Sequence, residues 1–222
     1  MNVDDISVVI PTLDAAATLG ATLVALGKVG EIIVADGGSG DATRAVARQA
    51  GARVIEVARG RGTQIAAGIA ASSLPWLLLL HADTGLAPGW RAAVRRHIAE
   101  APDKAGYFRL AFDSDDRRAR WVERLVAWRC RWLALPYGDQ GLLIRRTLLD
   151  RVGGVRALPL MEDVDLISRL GRGRLAALDA VALTSARRYV RDGWTMRPLR
   201  NLWCLALWFL GVPPRLIVRL YG

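Results

Sequence analysis

Several short stretches of this sequence place acids, a histidine and arginines at spacings that could do chemistry. His81-Ala82-Asp83 follows the apolar run Trp76–Leu80. Residues two apart at the end of an extended segment point the same way, so one metal ion could meet both side chains. A hard divalent cation would suit Asp83 together with phosphate oxygens. A capped loop would use the same residues. Glu162-Asp163-Val164-Asp165 sets three acids at the start of a predicted helix. They could supply a general base for a hydroxyl proton, or simply stabilise the helix N-terminus. Arg59-Gly60-Arg61-Gly62 joins backbone freedom to positive charge, which suits close approach to phosphates. A solvated basic turn would look the same. Gln64 either adds a donor there or faces solvent. Asp36, followed by Gly37 and Gly38, could accept hydrogen bonds from a base or a ribose, or close a turn. Arg187, Arg188 and Tyr189 form another basic cluster, either a clamp on a diphosphate or a solvated patch. His97 lies in a basic helix and is expected at the surface.

Apolar runs of strand length alternate with helical patterns in the first hundred residues, and these must position the candidates. Strands are predicted at Ile6–Ile10, Glu31–Ala35, Arg53–Val57 and Trp76–Leu80. Helices are predicted at Thr18–Leu26, Asp41–Gln49, Thr63–Ala71 and Gly89–Glu100. Short connections between them imply an α/β fold with a doubly wound, mostly parallel sheet flanked by helices. Such sheets bind ligands at the carboxyl ends of their strands. Asp14, Asp36, Arg59, Arg61, His81 and Asp83 all fall in loops at that edge. The second half is less regular. Tyr107–Phe112 and Gly141–Ile144 read as strands, Arg174–Thr184 as extended, and Glu162–Leu170 as a helix. Arg117–Leu135 reads as an amphipathic helix with Trp121, Leu125, Trp128 and Trp132 on one stripe. Leu199–Leu210 and Pro214–Tyr221 read as C-terminal amphipathic helices.

The 222 residues suit one domain, with no repeat and no linker. Its expected parts are a ligand-binding half at 1–100, an acceptor-side half at 101–198 and apolar helices at 199–222. The net charge of +10 suits an anionic partner: a nucleotide phosphate, nucleic acid or an anionic membrane face. Cys130 and Cys204, the two cysteines, exclude a disulfide framework. The acidic start, Met1 to Asp5, lacks the features of a signal peptide, so a cytoplasmic protein is expected. Leu202–Val212 is strongly apolar but too short to span a bilayer, which needs about twenty residues. It fits interfacial contact at the inner face of the membrane, packing on the domain, or a homodimer. The Trp stripe leaves the same choice, with an acceptor wall added.

Taken in order, these pieces resemble the family 2 glycosyltransferases and their GT-A fold. Ser7-Val8-Val9-Ile10-Pro11-Thr12-Leu13-Asp14 resembles the opening strand and turn of that family, and Ile33-Val34-Ala35-Asp36-Gly37-Gly38-Ser39 its nucleoside motif. Leu80-His81-Ala82-Asp83-Thr84 stands where the family carries an Asp-x-Asp metal motif. Asp139-Gln140-Gly141 and Glu162-Asp163 occupy acceptor-side positions. The resemblance implies an inverting transfer of sugar from a nucleoside-diphosphate sugar, a UDP-sugar foremost, to an acceptor hydroxyl. Pro11, Thr12, Asp14, Asp36 and Gly37 would hold the nucleoside. Arg59, Arg61 and Gln64 would lie near base or phosphates, with Arg187 and Arg188 at the diphosphate. Asp83, with His81 and Ala82 beside it, would hold Mn²⁺ or Mg²⁺. Asp163, with Glu162 adjacent, would act as base. His81 departs from the family's first Asp. The Leu-His-Ala-Asp-Thr string also resembles a small bacterial branch linked to arsenosugar biosynthesis.

Other classes fit less well. A nucleotidyltransferase would carry a Gly-rich basic loop where Pro11-Thr12-Leu13-Asp14 stands. A dinucleotide-dependent dehydrogenase needs Gly-x-Gly-x-x-Gly, and Gly38-Ser39-Gly40 lacks the third glycine. A basic protein binding nucleic acid or membrane without catalysis leaves the strand-end acids unexplained, and no nucleic-acid partner is expected.

Overall fold

The computed structural model describes residues 3–221. Met1 and Asn2, which open the acidic N-terminal stretch, lie outside the described residues, as does Gly222. The strands follow the apolar runs. In chain order the first half gives β1 (Ile6–Thr12), α1 (Ala16–Leu26), β2 (Glu31–Asp36), α2 (Thr43–Gln49), β3 (Arg53–Glu56), α3 (Arg61–Ala71), β4 (Trp76–Leu79), β5 (Thr84–Leu86) and α4 (Trp90–Glu100). The second half gives β6 (Ala105–Phe112), α5 (Arg117–Leu133), β7 (Leu142–Arg145), α6 (Arg146–Arg151), α7 (Glu162–Leu170), β8 (Leu175–Thr184), α8 (Arg187–Asp192), α9 (Met196–Phe209) and α10 (Pro214–Tyr221).

The strands form one sheet in the order β3-β2-β1-β4-β7-β6-β8-β5. Neighbours from β3 to β4 are parallel, as are β6 and β8, while β7 and β5 run against their partners. The chain winds outward from β1 through β2 to β3, then returns to lay β4 on the other side of β1. That reversal makes a crevice at the carboxyl ends of β1 and β4, the place where open α/β sheets bind ligands.

Strand alternation sends successive side chains to opposite faces. Ile6, Val8 and Ile10 of β1 and Trp76, Leu78 and Leu80 at β4 meet α1, α2 and α4 on one face. Val9, Leu77 and Leu79 meet α3, α6 and α7 on the other. Because both faces are covered, these strands are apolar throughout rather than alternating. A third cluster packs Leu110 and Phe112 of β6 under Ala119, Val122 and Val126 of α5. A fourth seats Cys204, Leu205 and Ile217 of the C-terminal helices on Met161 and Val164.

Three elements escaped the sequence reading: β5, α6 and α8. Each is six residues or fewer, too short to show a period. His97 is a correction. It is buried in α4, not at the surface, and its Nε2 donates to the Lys104 carbonyl at 2.9 Å. Its helix turns it inward beside Val94 and Ile98, so the basic neighbours misled. The Trp stripe of α5 is the opposite case: its buried face is Ala119, Val122, Val126 and Cys130, and the tryptophans point outward.

α3 lies very close to β1. A Cβ on Gly68 would fall on Cγ1 of Val9. Gly68→Ala is therefore expected to lower stability by about 1–3 kcal/mol through overpacking. Chemical denaturation of the two proteins measures the difference.

Candidate active site

The rim of the crevice is built from hydrogen bonds that fix the loops after β1 and β2. Asp36 is fully buried at the end of β2. Its carboxylate accepts from the Thr12 hydroxyl at 2.9 Å, the Ser39 hydroxyl at 2.5 Å, and the Gly38 and Ser39 amides at 3.1 and 2.8 Å. Burial pushes its pKa up, but the bonds from Ser39, Thr12 and Gly38 outweigh it and hold the carboxyl below its usual range. Gln64, also buried, donates to the carbonyls of Thr12 and Ala35 at 2.7 and 2.8 Å and accepts from the Gly60 amide at 3.3 Å. Gly37 passes so near Gln64 that a Cβ there would lie 3.0 Å from the amide carbon. Asp36, Gly37 and Gln64 thus brace the crevice from below. Asp14, in the left-handed region at φ +48°, accepts from the Gly40 amide at 2.8 Å and joins the two loops.

Above this brace lies a cleft of about 650 Å³, partly open to solvent. Pro11, Thr12 and Asp14 line one side, Arg59, Arg61 and Gln64 another, and His81, Ala82, Asp83, Arg187 and Arg188 a third. Asp36 and Gly37 are the two expected donor-side residues outside this lining. Gly60, at φ +149°, turns the chain into α3. Gly62 must be glycine for a different reason, since a Cβ would strike the backbone at Arg156 and Leu158.

The arginines of α8 reach the cleft because β5 pairs with β8. Thr84 lies opposite Thr184, their hydroxyls 2.9 Å apart. The Ser185 amide then donates to the Asp83 carbonyl at 2.9 Å. One turn later Arg188 stands 4.0 Å from the Asp83 carboxylate.

A second, smaller pocket, about 90 Å³, shares Arg61, His81, Asp83 and Arg188 with the cleft and continues to Asp139 and Asp163. Asp163 accepts from the Gly138 amide and from its neighbour Val164, each at 2.8 Å. Its helix begins at Met161, a bulky residue in the left-handed region at φ +65°. Such backbone strain persists only where the surroundings enforce it, and it clusters at functional sites. Gly138 separates the two candidate groups: a Cβ would lie 2.5 Å from His81 Nε2 and 3.3 Å from the Asp163 carboxylate.

Burial, followed by the charges of Arg61 and Arg188, pushes the His81 pKa down and keeps its ring neutral at neutral pH, with a lone pair to offer. Asp139 is driven up to about 6 by burial, against the pull of Arg129, with Asp163 and Asp83 adding to the rise. One of its oxygens is buried without a partner. Glu162 sits beside an apolar chamber walled by Ile65, Leu79 and Leu166. Burial and then the Asp163 charge raise it to about 7, against Arg61, whose Nε is 3.6 Å away. Gln140 and Gly141 do not face the second pocket. Gln140 is a buried brace that donates to the Phe108 carbonyl at 2.9 Å, and Gly141, at φ +62°, turns the chain beneath Leu80.

The sequence reading missed Tyr137, Thr184, Ser185, Arg197 and Asn201, all of which line the second pocket. Tyr137 follows Pro136 in a turn, and the Arg129 guanidinium lies 3.4 Å over its ring. The others belong to strand ends or helix faces that no motif marks.

Residues 7–160 match the Glycosyl transferase family 2 domain. The chain belongs to this family. Among solved structures, it resembles glucosyl-3-phosphoglycerate synthase from Mycobacterium tuberculosis in complex with Mn²⁺, UDP and phosphoglyceric acid. That likeness has 22% identity, a TM-score of 0.58, and coverage of 79% of this chain and 67% of that one. It also resembles S. aureus TarS 1–349 in complex with UDP-GlcNAc, with 16% identity, a TM-score of 0.63, and coverage of 81% of this chain and 58% of that one. At such identities the likeness is one of fold. No curated protein matches the chain. As a family 2 glycosyltransferase, the protein carries its motif loops on β1, β2 and β4 around the crevice described.

The raised pKa of Glu162 has a measurable consequence. Its folded value of about 7 exceeds the ordinary 4.5, so the favourable protonated state is complete below 4.5 and is lost as pH rises through 7. Glu162→Gln is accordingly expected to leave the melting temperature near wild type in acid and to raise it above pH 7. Thermal denaturation across that range is the check.

Proposed function

We propose that this family 2 glycosyltransferase transfers a sugar, with inversion, from a nucleoside-diphosphate sugar to an acceptor hydroxyl. One observation carries the reading: the donor-sized cleft and the pocket holding Asp163 share Arg61, His81, Asp83 and Arg188 as a common wall. In-line displacement needs the leaving group and the base on opposite sides of the sugar carbon. This wall offers positive charge to a leaving diphosphate from one side and a carboxylate base from the other.

In this reading the nucleoside lies over Pro11, Thr12 and Asp14, held rigid by Asp36, Gly37 and Gln64 beneath. Arg59, Arg61, Arg187 and Arg188 meet the diphosphate, where guanidinium forks pair well with phosphate oxygens. Asp163 takes the acceptor proton. Its two hydrogen bonds, from Gly138 and Val164, aim it without consuming every lone pair. Asp139 lies across the acceptor pocket from it.

Among the described residues no group of three or more metal-type side chains converges. Asp83 and the neutral His81 make a two-donor set, which suits Mn²⁺ or Mg²⁺ completed by diphosphate oxygens and water. When bound, such an ion would neutralise charge on the departing diphosphate. The solved structures that share the fold contain UDP with Mn²⁺ or Mg²⁺, or UDP-GlcNAc, which makes a UDP-sugar the first donor to try.

Asp163→Asn is expected to cut transfer by about 10²–10⁴-fold, the usual worth of a positioned base, while a UDP-sugar still raises the melting temperature. Full transfer by the variant would remove Asp163 from the mechanism. Asp83→Ala should abolish the part of that thermal shift that depends on Mn²⁺. A shift equal with and without Mn²⁺ in the wild type would remove the metal from the reading.

A further inference from the structure

The large exposed apolar side chains are concentrated in three helices. α5 presents Trp121, Leu125, Trp128 and Trp132, all at least 42% exposed. α9 presents Leu199, Leu202, Trp203 and Phe209, each about 60% exposed, and α10 presents Leu216 and Leu220. α5 is linked to α9 through the residues that flank the two helices. Its first turns share a cluster with Trp194, just before α9. The loop leaving it packs Leu135 and Tyr137 with Cys204 and Leu205 of α9.

The same three helices hold ten arginines and one glutamate, and with Asp116 and Asp192, which pair with Arg118, Arg197 and Arg200, they carry a net +7 of the chain's +10. Arg117, Arg118, Arg120, Arg124 and Arg131 of α5 and Arg215 and Arg219 of α10 are exposed among the apolar side chains. No acid occurs after Asp192. Tryptophan and leucine interleaved with arginine describe a helix lying in a membrane interface. No described helix is long and apolar enough to cross a bilayer.

We propose that α5, α9 and α10 form a docking face for an anionic lipid bilayer, with the tryptophans and leucines entering the headgroup boundary and the arginines meeting lipid phosphates. This goes beyond the transfer reaction and stands apart from it. A second copy of the chain is a poor occupant, because a self-complementary interface sets this positive charge against itself. Nucleic acid would satisfy the arginines but leave the leucines and Phe209 without partners. The inward sides of the same helices border both pockets. Arg197 and Asn201 of α9 line the Asp163 pocket and Val218 of α10 lines the donor cleft.

Flotation with vesicles of phosphatidylglycerol and phosphatidylcholine, against phosphatidylcholine alone, tests the proposal. Wild type is expected to float with the anionic vesicles, with a blue shift in tryptophan emission. The double variant Trp128→Ser/Trp203→Ser and the double variant Arg124→Gln/Arg131→Gln should each lose about tenfold in partitioning, and the second should mimic wild type in high salt. Arg95→Gln on α4, exposed and outside the face, should float like wild type. Thermal shift with a UDP-sugar reports that each variant is folded with its donor site intact, whatever the vesicles show. Absence of flotation overturns the proposal. So does flotation undiminished in both double variants, a dimer that the Trp variant dissolves while vesicles are ignored, or binding to an oligonucleotide at physiological salt without vesicle binding.

Discussion

The site depends on the short antiparallel pairing of β5 with β8. Residues 84 and 184 meet with their hydroxyls in contact, and the next amide, Ser185, closes on the Asp83 carbonyl. That pairing joins two parts of the chain a hundred residues apart. It sets the start of α8, and with it Arg188, against Asp83. The Thr184 hydroxyl also donates to the Asp139 carbonyl at 3.0 Å, so the same strand end ties the Asp139 loop to the Asp83 loop. With β5 unpaired, the β1–β4 crevice would still form, but it would lose the Arg187 and Arg188 that α8 brings to it.

Around this junction charges are balanced rather than accumulated. Asp83, Asp139, Glu162 and Asp163 approach one another with Arg61, Arg129 and Arg188 between them. Like charges in a low-dielectric site raise each other's pKa. The two carboxyls driven upward, Asp139 and Glu162, are those with a buried oxygen that lacks a partner. Asp163, with two amide donors, carries no such orphan oxygen. The arrangement leaves one carboxylate aimed and two weakly acidic groups behind it. Arg61 serves both sides, touching Glu162 while lining the cleft. It is the side chain through which an occupant of the cleft would be felt at α7.

Much of the first half was legible in sequence because its strands are buried on both faces and so read as unbroken apolar runs. The crossover rule then placed Pro11, Arg61, His81 and Asp83 at one edge, as found. Asp36 and Gln64 were legible as important but not as braces. Only coordinates reveal that Asp36 spends its lone pairs on Thr12, Gly38 and Ser39. The second half resisted because its site is made by pairing between strands of three and ten residues. A three-residue strand has no period to detect. His97 was misplaced, and the Trp stripe was left open, for a common reason: composition tells how polar a helix is, but a tertiary partner decides which stripe it hides.

The positive charge reads differently once it is placed. From composition, +10 pointed first to nucleotide phosphates. With +7 of it on α5, α9, α10 and the acids paired to them, the remainder of the molecule carries only +3. The cleft lining holds four arginines, Arg59, Arg61, Arg187 and Arg188, against two acids, Asp14 and Asp83, so local positive charge as well as geometry meets an occupant there. Most of the excess charge lies instead where apolar side chains are exposed, and in the docking proposal it would orient the molecule before contact, toward an extended anionic surface. Short-range recognition and long-range orientation are thus divided between two parts of the chain, the strand-end loops and the helices that follow them.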